Sequence, residues 1–358
     1  MKKLLGLNLL LLLACTGLFA QEKLLIDAKT KKEVVTKVAQ LMKEKYVFAD
    51  IGEKMAKYIQ RQQKKGVYAS FSEVKPFCAK LTSDLREISN DKHLFVFYSP
   101  EEAYQVKAYN KMLPEEEIKK VKDRDYEIDK RGNFGFKKVE ILDGNIGYLE
   151  IKYCSDTDIL EEALNGAMKF LSNSDAIIID MRDNGGGEMS SLLQSYFLPA
   201  EKILLGSANC RDASQNKQSW SIPDIPGKHL PNIELFILTN SKTFSAAEGF
   251  TYTMQKLKRA VVVGETTKGG AHPIDVFIVK GDILTQISIC ESCNPITKSN
   301  WEGTGVKPDI EAKSEDALHV ARVTALEHIL EKITDSEYKD EIKLLLTKLK
   351  NNPSKTAE

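Results

Sequence analysis

Between Val35 and Ile88 apolar residues recur at helical spacing. Val35, Val38, Met42 and Tyr46 form one stripe, Ile51, Met55 and Ile59 a second, and Val74, Cys78, Leu81, Leu85 and Ile88 a third. The spacing predicts a small bundle of short helices ending near Asn90, the last opened by Ser72 as N-cap. The period then changes. His93-Leu-Phe-Val-Phe-Tyr98 is β-rich, which puts His93 at a strand entrance. Glu101 to Arg131 is charged and predicts a helix or connection. Phe136–Leu142 and Ile146–Ile151 flank Asp143-Gly144-Asn145, a hairpin signal. A helix is expected over Ile159–Leu171, and Asp175–Asp180 has the unbroken apolar interior of a buried parallel strand.

Asn184-Gly-Gly-Gly187 follows that strand, with a helix expected over Glu188–Phe197. Glycine permits positive φ and close backbone approach, so this turn fits a phosphate cradle, an oxyanion site or a plain β–α turn. Neither GxxxxGK[ST] nor GxGxxG is present. The next unit runs strand, turn, helix, strand: Leu235–Leu238, Ser245-Ala246-Ala247, an amphipathic segment to Leu257, and Ala260–Gly264. A hydroxyl on Ser245 would face the unpaired N–H groups of a helix start, which is what a serine nucleophile needs. Ser at a helix start also serves simply as an N-cap. Two further alternating runs, Ile274–Val279 and Leu284–Ile289, precede a helix opened by Ser314 and another over Tyr338–Leu349.

The 358 residues carry 51 basic and 51 acidic side chains, so charge gives no case for a nucleic-acid partner. Lys2 and Lys3, the apolar run Leu4–Ala14 and Leu18-Phe19-Ala20 have the form of a signal peptide over residues 1–20. Export to the periplasm or medium follows as an expectation. Leu12-Leu-Ala-Cys15 also resembles a lipobox, so a lipoprotein anchored at Cys15 is the alternative, and a membrane is a partner only in that form. After cleavage Cys78, Cys154, Cys210, Cys290 and Cys293 remain, an odd and scattered set. Cys290-Glu-Ser-Cys293 suggests a local disulfide or free thiols beside a strand. It lacks the further ligands that zinc would require, and no metal or cofactor is expected.

Asp180-Met-Arg-Asp-Asn-Gly-Gly-Gly187, Thr243-Phe-Ser-Ala-Ala-Glu248, Val263-Gly-Glu-Thr266 and Glu302-Gly-Thr-Gly-Val-Lys-Pro-Asp-Ile310 occur in the order found in the tail-specific (C-terminal processing) serine proteases. The chain resembles the branch related to interphotoreceptor retinoid-binding protein and the tricorn protease core. Ser89-Asn-Asp-Lys-His-Leu94 and Asn133-Phe-Gly-Phe-Lys-Lys-Val139 add to the likeness. The resemblance implies an α/β fold, a ClpP/crotonase-like spiral core preceded by a small N-terminal helical bundle. Tyr98–Gly144 is too short for the PDZ insert of many members. The expected division is a signal peptide (1–20), a helical domain (21–92), the protease-like α/β domain (93–335) and a C-terminal helix and tail (336–358).

The resemblance implies Ser245 as nucleophile, His93 as general acid/base and Glu302 as the carboxylate orienting it. It places oxyanion donors on Gly185, Gly186 and Ala246. Lys268 falls two residues away from the base of lysine-type members, which speaks against a Ser–Lys dyad. His272 is the competing base, and Glu248, in the first turn of its helix, is expected only to complement the helix dipole. The function that follows is an exported serine endopeptidase acting on peptides or unfolded chain segments. The alternative is a non-catalytic carrier of an apolar ligand or peptide on the same fold.

Overall fold

The computed structural model describes residues 24–154, 157–188 and 190–351. The expected signal peptide and Cys15 lie outside them. Helices α1 (Ala28–Lys45), α2 (Ala49–Lys64) and α3 (Val74–Ser89) come first. Asp27 caps α1 by accepting the Thr30 N–H at 2.6 Å, and Asn90 ends α3 in the left-handed region at φ 55°. Ser72 is not the cap of α3. The helix starts one turn residue later, behind Glu73, because the Ser72 carbonyl is taken by the Ile26 N–H.

Strand β1 (Phe95–Tyr98) leads into α4 (Pro100–Tyr109) and α5 (Glu115–Arg131), so the space between β1 and the next strand is helical and holds no PDZ-like sheet. Ser99 caps α4, with Pro100 in its first turn. Strands β2 (Phe136–Leu142) and β3 (Ile146–Ile151) form the expected hairpin, with Leu142 opposite Ile146. Then come α6 (Thr157–Leu171), β4 (Ala176–Asp180) and a short α7 (Ser191–Tyr196). The last is shorter than expected because extended backbone persists to Gly187, which bridges to Cys154.

Strands β5 (Leu204–Cys210) and β6 (Lys217–Trp220) precede β7 (Glu234–Thr239), α8 (Ala246–Lys256) and β8 (Val261–Gly264). The chain ends with β9 (Ile274–Lys280), β10 (Ile283–Ser288), β11 (Cys290–Cys293), β12 (Ile310–Glu311), α9 (Ala317–Lys332) and α10 (Ser336–Asn351). Asp316, not Ser314, stands at the start of α9.

The central sheet has the order β12-β8-β7-β4-β3-β2, parallel except for the β2–β3 hairpin. Strand β4 is buried along its whole length. Its Ile177 and Ile179 pack with α6, α7 and α8 on one face, and Ala176 and Ile178 pack with α9 and α10 on the other. Helices α1–α3 share a core with β1 and β10, so Val38, Met42 and Leu81 lie in the same cluster as Val96 and Ile287. That cluster draws on both sides of the expected boundary at residues 92/93. It docks β1, and with it His93, over the C-terminal end of the parallel strands, where α/β sheets place their sites.

Candidate active site

Ser245 sits between β7 and α8 with φ 54° and ψ −118°, in a region where a residue with a Cβ is strained. This is the geometry of a nucleophile held proud of a strand-to-helix turn. The strain is opposed by Glu248. Its fully buried carboxylate accepts the Ser245 N–H at 2.8 Å, the Gly269 N–H at 2.6 Å, the Gly270 N–H at 2.9 Å and the Thr267 hydroxyl. Burial pushes the Glu248 carboxyl above its ordinary range while these four donors pull it back. Glu248 thus does more than complement the helix dipole. It ties the Ser245 main chain to the loop Thr267–Gly270.

His93 is buried and lies with its Nε2 3.1 Å from the Ser245 Oγ. Its main chain is clamped on both sides: Asp91 Oδ1 accepts the His93 N–H at 2.8 Å, and the Gln286 amide donates to the His93 carbonyl at 2.7 Å. Arg86 donates to the carbonyls of Lys92 and Leu94. The ring packs on Phe244 with centroids 4.5 Å apart, and Gly270 lies against both rings. Burial lowers the pKa of His93 to about 4, so the imidazole is neutral at pH 7 and able to accept a proton.

Glu302 does not hydrogen-bond to His93. Its Oε2 accepts the Ala271 N–H at 2.5 Å, and neither its Oε1 nor the His93 Nδ1 has a hydrogen-bond partner among the described residues. Its neighbour is His272, whose Nδ1 stands 3.6 Å from Glu302 Oε2 and 3.8 Å from Asp91 Oδ2. No hydrogen bond joins His272 to Ser245, and the competing base faces the two carboxylates instead. Lys268 places its ammonium over the Phe244 ring, 4.3 Å from the centroid.

The glycine turn packs directly on Ser245. A Cβ on Gly186, which has φ +98°, would stand 2.7 Å from the Ser245 Cβ and 3.1 Å from the Ala246 nitrogen. Gly186 is not available as an oxyanion donor, which corrects the expectation for it, because its N–H is spent on Asn184 Oδ1 at 2.8 Å. The N–H groups of Gly185 and Ala246 have no acceptor among the described residues, and Ala246 is the first residue of α8, where N–H groups are unpaired.

A cavity of about 790 Å³ opens beside Ala246, walled by Leu205, Phe250, Ile289 and Trp301. One wall carries a Cys210–Cys290 disulfide, which replaces the expected local Cys290–Cys293 pairing; β5 and β11 run antiparallel with Cys210 opposite Cys290, and Cys293 is free. Another cavity of about 820 Å³ lies between α3 and β1, but neither Ser245 nor His93 lines it. Asp91, His272 and Glu302 could in principle hold a metal, since their ligand atoms lie within 4.8 Å of one another. Asp91 and Glu302 already accept protein donors, however, and His272 itself stands within 3.8 Å of both carboxylates.

Comparison with known proteins bears on the fold and the family. The fold is similar to that of a candidate peptidase from Parabacteroides merdae ATCC 43184, with a TM-score of 0.56 at 18% identity over 83% of this chain and 96% of that one. It is also similar to a lipoprotein from Streptococcus agalactiae, with a TM-score of 0.51 at 14% identity over the same shares. Residues 20–130 match the N-terminal domain of peptidase S41 in eukaryotic IRBP, and residues 145–312 match peptidase family S41. With both parts present and in order, the chain belongs to peptidase family S41.

Proposed function

We propose that the protein is an exported serine endopeptidase that cleaves peptides or unfolded chain segments through an acyl-enzyme on Ser245. The observation that carries this reading is the 3.1 Å contact between His93 Nε2 and Ser245 Oγ. Neutral His93 takes the hydroxyl proton as Ser245 attacks the scissile carbonyl. The oxyanion that forms accepts the N–H groups of Ala246 and Gly185, beside the positive end of α8. His93 then returns the proton to the leaving amine, and water enters by the reverse of the same steps to release the acyl group. The cavity beside Ala246, with Leu205, Phe250 and Trp301 in its walls, suits an apolar side chain of the substrate.

The test is labelling by a fluorophosphonate probe. Wild type should label, Ser245→Ala should not, and His93→Ala should fall far more than His272→Ala. Labelling that persists in Ser245→Ala removes the assignment. Wild type that refuses the probe, yet binds an apolar ligand saturably, would put the carrier reading in its place. Export is proposed on the N-terminal residues, and no helix among the described residues is long and apolar enough to cross a membrane.

A further inference from the structure

The side chain expected to orient His93 makes no hydrogen bond with it, yet His93 is rigidly held. The group that holds it is Asp91, two residues earlier and only 1% exposed. Its Oδ1 accepts the His93 N–H, its Oδ2 accepts the Tyr46 hydroxyl at 3.1 Å, and on the Oδ2 side it faces His272 at 3.8 Å. Tyr46 comes from the end of α1, His272 from the loop before β9, and Glu302 from the loop before β12, so three remote segments converge on one carboxylate.

We propose that Asp91, not Glu302, is the carboxylate that positions and electrostatically supports His93, with Tyr46 and His272 holding it in place and Glu302 closing the far side of His272. The proposal deepens the peptidase reading and rests on His93 being its base.

The charges around His93 agree with the geometry. Burial is the dominant influence, Asp91 is the charge that favours the imidazolium, and His272, Lys268 and Arg86 disfavour it. Burial also works against ionisation of Asp91, but His272, Ser288 and the His93 N–H more than offset that and hold Asp91 below the usual carboxylate range. Burial and the nearby Asp91 push Glu302 the other way, above its ordinary value, against the Ala271 N–H and His272. His272 itself is driven down by burial and lifted above its ordinary value by Asp91 and Glu302. Asp91 is therefore the carboxylate held in its ionised form, with His272 as its basic neighbour. When Ser245 gives up its proton, the new imidazolium at His93 is met by that fixed negative charge, at no cost in reorganisation.

The experiment follows the His93 ring by ¹⁵N NMR titration, alongside the pH dependence of fluorophosphonate labelling. Asp91→Asn keeps the shape and an acceptor for the His93 N–H but removes the charge. The His93 titration and the acid limb of labelling should both move to lower pH. The labelling rate at pH 7 should fall about tenfold or more, short of the roughly 10²–10⁴-fold cost of losing a general base outright. Glu302→Gln should leave the His93 titration where it is. If Asp91→Asn does not fold, His272→Gln serves, since removing that cation should move the His93 titration to higher pH. A purely structural role for Asp91 would lower stability without moving the titration. An unmoved titration in Asp91→Asn or in His272→Gln, or a moved one in Glu302→Gln, overturns the proposal. The NMR titration needs no turnover, so a wild type that fails to label would sink the peptidase reading while still deciding this one.

Discussion

The carboxylate of Glu248 accepts the backbone N–H of Ser245 at 2.8 Å, and its other oxygen takes the Gly269 N–H at 2.6 Å. One buried acid therefore sets the height of Ser245 and the path of the loop that passes behind His93. Glu248→Gln puts an amide NH₂ where an acceptor is needed, leaving at least one buried N–H unpaired. Such a group costs about 1–3 kcal/mol. Urea denaturation should show a loss of that size, together with slower labelling of Ser245. A variant as stable as wild type would mean that the Thr267–Gly270 loop is held by other contacts.

Ser245 itself stores strain at φ 54° and ψ −118°. Backbone held in such a region costs roughly 1–3 kcal/mol when the residue has a Cβ. Ser245→Gly should therefore raise the unfolding free energy towards that range, less the entropy that glycine gains in the unfolded chain. Ser245→Ala keeps the Cβ and should not show this gain. Both should lose all labelling. Equal stabilities for the two variants would mean that the turn relaxes around any residue placed there.

The depressed pKa of His93 has consequences for both rate and stability. Its value of about 4 lies below the ordinary 6.5, so between these limits the unfolded chain binds a proton that the native state refuses. Stability from this residue is full above pH 6.5 and is lost as the pH falls towards 4. The loss amounts to about 3 kcal/mol for a shift of that size. Labelling should keep its plateau down to about pH 5 and fall off near 4, whereas an ordinary histidine base would fade near 6.5. His93→Gln should show a shallower fall in stability between pH 6.5 and 4 than wild type. An acid limb near 6.5 would show that His93 titrates as an exposed group.

Much of this was legible in the sequence. The stripes of α1, α2 and α3, the Asp143-Gly144-Asn145 hairpin and the all-apolar β4 follow from local periodicity, because each buries one face or both. The meeting of Ser245 and His93 rests on the motifs and on the docking of β1 beside β10, and the motifs could name the pair without showing the distance. Three features were not legible. Asp91 and Glu248 look like a turn aspartate and a dipole-complementing glutamate, since nothing local distinguishes a carboxylate that will collect donors from remote loops. The Cys210–Cys290 disulfide depends on β5 pairing with β11 across 80 positions, whereas Cys293, three residues away, is the nearer partner by sequence. The oxyanion assignment of Gly186 failed for a similar reason. Only the fold reveals that Asn184 turns back to occupy its N–H.

Gly270 gives the sharpest steric test of the site. Its φ lies outside the left-handed region, so alanine there costs nothing in backbone conformation. The added Cβ would nonetheless lie 2.2 Å from Phe244 Cε2 and 2.7 Å from His93 Cε1. The loop has little freedom to retreat: the Gly270 N–H is bonded to Glu248, and its carbonyl accepts the Trp301 indole N–H at 2.8 Å. The rings of Phe244 and His93 must therefore move, and they are in direct contact, so they move together. A displacement of about 1 Å at a catalytic group can cost on the order of 10²-fold in rate. Gly270→Ala should fold, show the far-ultraviolet circular dichroism of wild type, and label at a rate reduced by about that factor. The His93 ring should report the same event through an altered NMR shift. Labelling at the wild-type rate would mean that the imidazole reaches Ser245 by a path that does not pass the Gly270 Cα.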